Sequence, residues 1–129
     1  MSNIVQDYCS NRVLCSLYKS NKERKPNMKV KAAFIFVAPQ TDSAVHQSTI
    51  ETPALILKIV GVKNYEQGVE IAKQLAEEGV GAIELCAGFG NEGIAMISKA
   101  VRGKAHVGAV KFDSHPGFDF KSGDELFQG

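Results

Sequence analysis

The chain alternates between runs that are apolar almost without interruption and runs in which apolar residues return every three or four positions. Residues 30–38, VKAAFIFVA, are apolar apart from Lys31 and stop at Pro39. Such continuity suits a strand covered on both faces, as in a parallel sheet. Residues 55–62 (LILKIVGV), 81–87 (GAIELCA) and 106–112 (HVGAVKF) repeat the theme. Between the first two runs, Thr41 or Asp42 is placed to cap a short helix through His46 towards Ile50, with Pro53 marking its end. Between the second and third, Asn64 is an N-cap and Gln67, three residues on, makes a variant of the capping box. Tyr65, Val69, Ala72, Leu75 and Ala76 form one stripe of that helix, and Gly79 stops it where a left-handed residue is wanted. A third helix is predicted from about Glu92 to Arg102, with Ile94, Ile97, Ala100 and Val101 inward and Gly103 as its stop.

The predicted order is therefore β-α-β-α-β-α-β. Short connections and right-handed crossovers turn it into an α/β domain with an open, mainly parallel four-stranded sheet and helices on both faces, Rossmann- or flavodoxin-like or a half-barrel. Residues 28–129 are read as one domain. Residues 1–27 differ in character and are read as a peripheral, basic N-terminal extension. Seven Lys/Arg and two Asp/Glu fall in residues 1–31, against eight and twelve in the remainder.

That mildly acidic body, without a basic stripe interleaved with aromatics, predicts no nucleic-acid partner. A chain of 129 residues carries one core and is too short for an eight-stranded barrel. Cys9, Cys15 and Cys86 are odd in number and lack CxxC spacing, which predicts neither a disulfide framework nor a metal site. No apolar run approaches the roughly 18 residues of a membrane span, so no membrane partner is expected and the cytoplasm is the expected location. Four parallel strands leave edges that want cover, which predicts a homodimer.

Candidate chemistry gathers where strands end, since open α/β sheets collect ligands there. Gly88-Phe89-Gly90-Asn91-Glu92-Gly93 matches GxGxxG after a strand and before a helix, with Asp113 twenty residues on. Glycines let a backbone approach a phosphate, and a helix N-terminus offers unpaired amides. A dinucleotide is the sharper alternative, but it needs more sheet than the sixteen residues left after Asp113 allow, so no cofactor is predicted and the loop is read as a site for an anionic small molecule. The bland alternative is that these glycines serve only tight turning and packing. His46, His115 and Asp113 fall on the same predicted rim, while His106 begins a strand and is placed on the opposite one.

Glu84 and Lys58 each interrupt an apolar strand. An ion pair between them within the sheet is one reading; a general acid or base at Glu84 is the other. Cys86, two residues on, falls on the same face as Glu84 and is either a nucleophile near a helix N-terminus or a small buried hydrophobe.

From Met28 onward, KAAFIFVAP, ETP, AIELCAGFGNEG, KFDSHPG and KSGDELF together resemble a family of short, uncharacterised microbial α/β proteins, a domain of unknown function. That resemblance implies fold and size and no activity. AEEGVGAIELCAGFGNEGIAMISKAV is also similar to the first half of the keto-deoxy-phosphogluconate aldolase barrel, in which Glu84 matches the catalytic glutamate and the Schiff-base lysine has no counterpart. Three functional readings follow. The first is binding of a phosphate- or carboxylate-bearing molecule at Gly88, Phe89, Gly90, Asn91 and Gly93 with Asp113 and His46. The second is a lyase- or isomerase-type enzyme using Glu84 and His115 with Cys86 nearby. The third is a non-catalytic oligomeric scaffold.

Overall fold

The computed structural model describes residues 28–128; the basic extension of residues 1–27, with Cys9 and Cys15, lies outside them. Five strands form one sheet: β1 (Val30–Val37), β2 (Gln47–Glu51), β3 (Leu55–Val62), β4 (Ala82–Leu85) and β5 (His106–Ala109). Their spatial order is β2-β3-β1-β4-β5, parallel throughout except for β2, which runs antiparallel to β3. The helices are α1 (Tyr65–Glu77), α2 (Asn91–Ala100) and the short α3 (Gly123–Phe127), with a 3-10 turn at Pro116–Phe118.

Two expectations about this architecture are corrected. The helix predicted from Thr41 to Ile50 is a turn followed by β2. Asp42 does cap, but it closes a local turn: its Oδ1 accepts from the Ala44 N–H at 2.9 Å, and its own N–H donates to His46 Nδ1 at 2.9 Å. Thr49, Ile50 and Thr52 are β-branched, and β2 pairs Ile50 with Leu57 and Thr49 with Lys58. The sheet consequently has five strands, one of them antiparallel, and not four parallel ones.

The second correction follows from the first. β1 and β3 run parallel, and the chain returns between them through β2, antiparallel to β3, and not through a helix. Thereafter β3-α1-β4 and β4-α2-β5 step across the sheet in one direction, so right-handed crossovers bring both helices to the same face. Ala33, Ile35, Val37, Val62, Ile83 and Leu85 point to that face and form one core with Tyr65, Ala72, Leu75 and Ile97. Among the described residues, no helix lies on the opposite face.

Local chemistry follows the sequence closely in α1. Asn64 Oδ1 accepts from the Gln67 N–H, and Gln67 Oε1 reaches back to the Lys63 N–H, each at 2.9 Å. Gly79 takes φ +90° and lets the Val80 N–H return to the Leu75 carbonyl, closing the helix. No helix among the described residues is long and apolar enough to cross a membrane.

Candidate functional site

The glycine loop lies where the sequence places it, between β4 and α2, and the amides of Gly88, Phe89, Gly90, Glu92 and Gly93 are engaged within the fold, while Asn91 is exposed. The Gly88 N–H donates to Cys86 Sγ at 3.3 Å and the Phe89 N–H to the Cys86 carbonyl at 3.1 Å. The Gly90 N–H donates to the Tyr65 hydroxyl at 2.9 Å. At the mouth of α2 sits the Asp124 carboxylate from α3. Its Oδ2 accepts from the Glu92 N–H at 3.1 Å, and its Oδ1 accepts from the Gly93 N–H at 3.2 Å and the Tyr65 hydroxyl at 2.9 Å. A helix N-terminus attracts an anion, and the fold supplies one of its own.

The three glycines of the GxGxxG run have matching internal reasons. A Cβ at Gly88 would meet Val37 Cγ1 at 2.6 Å, one at Gly90 the Asp124 carboxyl carbon at 2.5 Å, and one at Gly93 the Tyr65 ring at 2.6 Å. Close packing of strand, ring and carboxylate explains them without a pyrophosphate. Tyr65 is fully buried between these groups and stacks on Phe89 with centroids 5.4 Å apart. Burial, and then the Asp124 carboxylate, push its hydroxyl well above the ordinary tyrosine range.

The other rim residues are drawn into local turns. His46 is exposed, with Nδ1 occupied by the Asp42 N–H. His115 Nδ1 accepts from the Gly117 N–H at 3.0 Å, and its ring lies between Phe112 and Phe118. Phe118 continues to Phe127 and thence to Tyr65, so His115 ends an aromatic run that fastens the tail to the core. Asp113 is fully exposed, and its hydrogen bond to Lys111 holds its carboxyl below the usual range. Cys86 Sγ accepts from two amides, Val37 at 3.5 Å and Gly88 at 3.3 Å, and thereby ties β1 to the turn.

Lys58 and Glu84 do not pair. Register puts Lys58 beside Ala33 on the helix-covered face, where it bonds to Glu78 at the end of α1. Glu84 stands beside Phe34 and Gly108 on the uncovered face. The two side chains leave the sheet on opposite sides, because their strands alternate out of phase.

The uncovered face is the feature with most room for function. Rows across it read Ile50, Leu57, Ala32, Ala82 and His106, then Ser48, Ile59, Phe34, Glu84 and Gly108. Over β3 and β1 the side chains are apolar, with Leu57, Ile59 and Phe34 bulky and Ala32 small; over β4 and β5 they are small or polar. A recess of about 500 Å3 lies across β3, β1 and β4, lined by Ala32, Phe34, Leu57, Ile59, Ala82 and Glu84 among others. Glu84 is exposed within it and is the one acidic residue of its lining. His106, read from the sequence as belonging to the far rim, shares this face with Glu84 on the neighbouring strand. His115 and Cys86 do not line the recess.

A family profile described as "Family of unknown function (DUF6506)" matches residues 30–125, from the first residue of β1 into α3. The chain belongs to the DUF6506 family. The matched span contains the whole sheet, α1, α2, the Tyr65–Asp124 lock and the recess around Glu84. No curated protein and no solved structure matches the chain.

Two residues that matter to the site were missed in the sequence. Asp124 lies in a Ser122–Glu125 capping box, a readable signal for a helix start, but nothing local announces a partner thirty-odd positions earlier. His106 was legible as the start of a strand; only the register with Ala82 puts it on the face of Glu84.

Proposed function

We propose that this chain binds a small molecule on the uncovered face of its sheet, with the apolar body of the ligand over Phe34, Leu57 and Ile59 and a donor group at Glu84. The observation that carries this reading is a carboxylate standing in an otherwise apolar recess. A carboxylate accepts hydrogen bonds and attracts positive charge, so the ligand class is an apolar amine or a similar cation. At the glycine loop, where the sequence leads to an anion, Asp124 accepts from the Glu92 and Gly93 amides, which favours the recess over the loop as the ligand site. Thermal shift with alkylamines and alkylcarboxylates of equal chain length tests it. The amines are expected to raise Tm, the carboxylates to do little, and Glu84→Gln to abolish the difference. Equal responses to both series, or an unchanged response in Glu84→Gln, refute the reading.

A second reading, a lyase- or isomerase-type enzyme, draws on Glu84 and His106 sharing that face. A carboxylate and an imidazole on one sheet face supply the two groups of a general acid–base set, with His106 outside the lining of the recess itself. Its test is NMR detection of deuterium wash-in next to the carbonyl of apolar ketones, expected with the wild type and lost in Glu84→Gln. No wash-in across a ketone series removes it.

A further inference from the structure

Positive charge collects at one place on an otherwise acidic domain. Residues 28–129 hold ten Lys/Arg and twelve Asp/Glu, yet the stretch from Gly93 to Phe112 contains no acid and includes Lys99, Arg102, Lys104, His106 and Lys111. The middle of this stretch leaves α2 at Ala100 and enters β5 at His106, turning at Gly103, which takes φ +80°. Here lies a cavity of about 470 Å3, to which Ser98, Arg102, Lys104, His106 and Val107 contribute and no carboxylate does. It shares no lining residue with the recess at Glu84.

We infer that this cavity binds a phosphate group, as the free anion or as a phosphate ester. Arg102 is the one arginine of residues 28–129, and it enters no ion pair among the described residues. Its fork of donors therefore remains for two-point contact with an oxyanion. Ser98, one helical turn earlier, adds a hydroxyl, and Lys104 adds an ammonium whose partner Glu77 stands outside the lining. β5 is the last strand of the sheet. The His106 and Val110 amides donate to Gly81 and Leu85 of the β4 side, so the Val107 N–H between them points to the open edge. Donors from helix, turn and strand suit the three free oxygens of a phosphate better than a planar carboxylate.

The negative end of α2 is quenched by its own turn. The carbonyl of Ile97 accepts from Val101, that of Lys99 from Arg102, and that of Val101 from Lys104 and Ala105. Lys99 meets the helix dipole from outside the lining. Residues 1–27, with five Lys/Arg against two Asp/Glu, carry the same sign as the cavity and are not its complement.

Isothermal titration of the full chain with inorganic phosphate, glycerol 3-phosphate and acetate, in about 0.15 M chloride to screen diffuse attraction, tests the inference. One phosphate or ester per chain is expected, with acetate much weaker. A tighter ester assigns phosphate esters as the ligand; equal affinities assign the free anion. Arg102→Gln is expected to weaken binding about tenfold or more, and Lys104→Met severalfold, both with unchanged far-UV circular dichroism. Lys99→Met removes the same charge from outside the lining and is expected to change little. No saturable binding of either phosphate, or acetate binding as tightly, overturns the inference. Binding that survives both Arg102→Gln and Lys104→Met also overturns it, because the anion then sits elsewhere, residues 1–27 included. A loss in Lys99→Met as large as in Arg102→Gln does the same, since net charge alone would then account for the binding.

Discussion

Replacing Asp124 by alanine should be among the most damaging single changes outside the aliphatic core. The carboxylate accepts three hydrogen bonds, from the Glu92 and Gly93 amides and from Tyr65. Glu92 is exposed, so its amide regains water on substitution. Gly93 and Tyr65 are buried, and the remaining acceptor for the tyrosine hydroxyl, the Gly88 carbonyl, is 3.4 Å away. One charge-assisted bond is worth about 1.5–3 kcal/mol and an N-cap about 1 kcal/mol, with incomplete additivity inside one network. The expected loss is therefore about 2–4 kcal/mol, or on the order of 10–20 °C in Tm for a domain of this size. Urea denaturation of wild type, Asp124→Ala and Asp124→Asn measures it, with the asparagine variant intermediate because one oxygen acceptor is kept.

The same substitution carries an internal control. Emptying the mouth of α2 frees amides that favour an anion. Millimolar phosphate should then raise the midpoint of Asp124→Ala more than that of wild type. A loss under about 1 kcal/mol, or equal phosphate responses in the two proteins, refutes the assignment of Asp124 as the helix's own anion.

Gly123→Ala should fail more severely still, since its Cβ would sit 1.8 Å from the Gly88 carbonyl oxygen; reduced soluble yield and a collapsed Tm are the expected readings. Tyr65 holds its proton in the folded chain beyond the pH at which an unfolded tyrosine releases it. The associated stability is whole below pH 10.0, the ordinary value, and declines as pH rises above it. The difference in midpoint between wild type and Tyr65→Phe should therefore shrink between pH 9 and 11, and a constant difference contradicts this. Lys58→Ala removes a half-exposed ion pair with Glu78 and should cost less than about 1 kcal/mol by urea denaturation.

Strands β1, β3, β4 and β5 and helices α1 and α2 were legible because continuous apolar runs, an Asn cap and two stop glycines act locally. The failure at Thr41–Ile50 has an equally local cause. Asp42 is as good at closing an Asx turn as at capping a helix, and the sequence offers no stripe to decide between them. One such choice then propagated, because the missing helix is the one that covers the second face in a doubly wound sheet. At the glycine loop the strand-turn-helix shape is legible in the sequence and its contacts are not. GxGxxG announces amides at a helix mouth, but the carboxylate that fills them comes from α3, and long-range pairing leaves no periodic trace. Glu84 was singled out rightly as an oddity in an apolar strand, while its side of the sheet depended on register.

The strand order also has a kinetic consequence. β1 is made first and ends in the middle, flanked by β3 and β4, which come from well downstream in the chain. Non-local parallel pairings of this kind are slow to form. The β2–β3 hairpin needs only a four-residue reach, a local closure faster than the long-range parallel pairings on either side of β1. Until β4 arrives, the free edge of β1 presents Ala32 to Ile35 to any neighbouring nascent chain, so crowding during synthesis is the moment at which this protein is most exposed to misassembly.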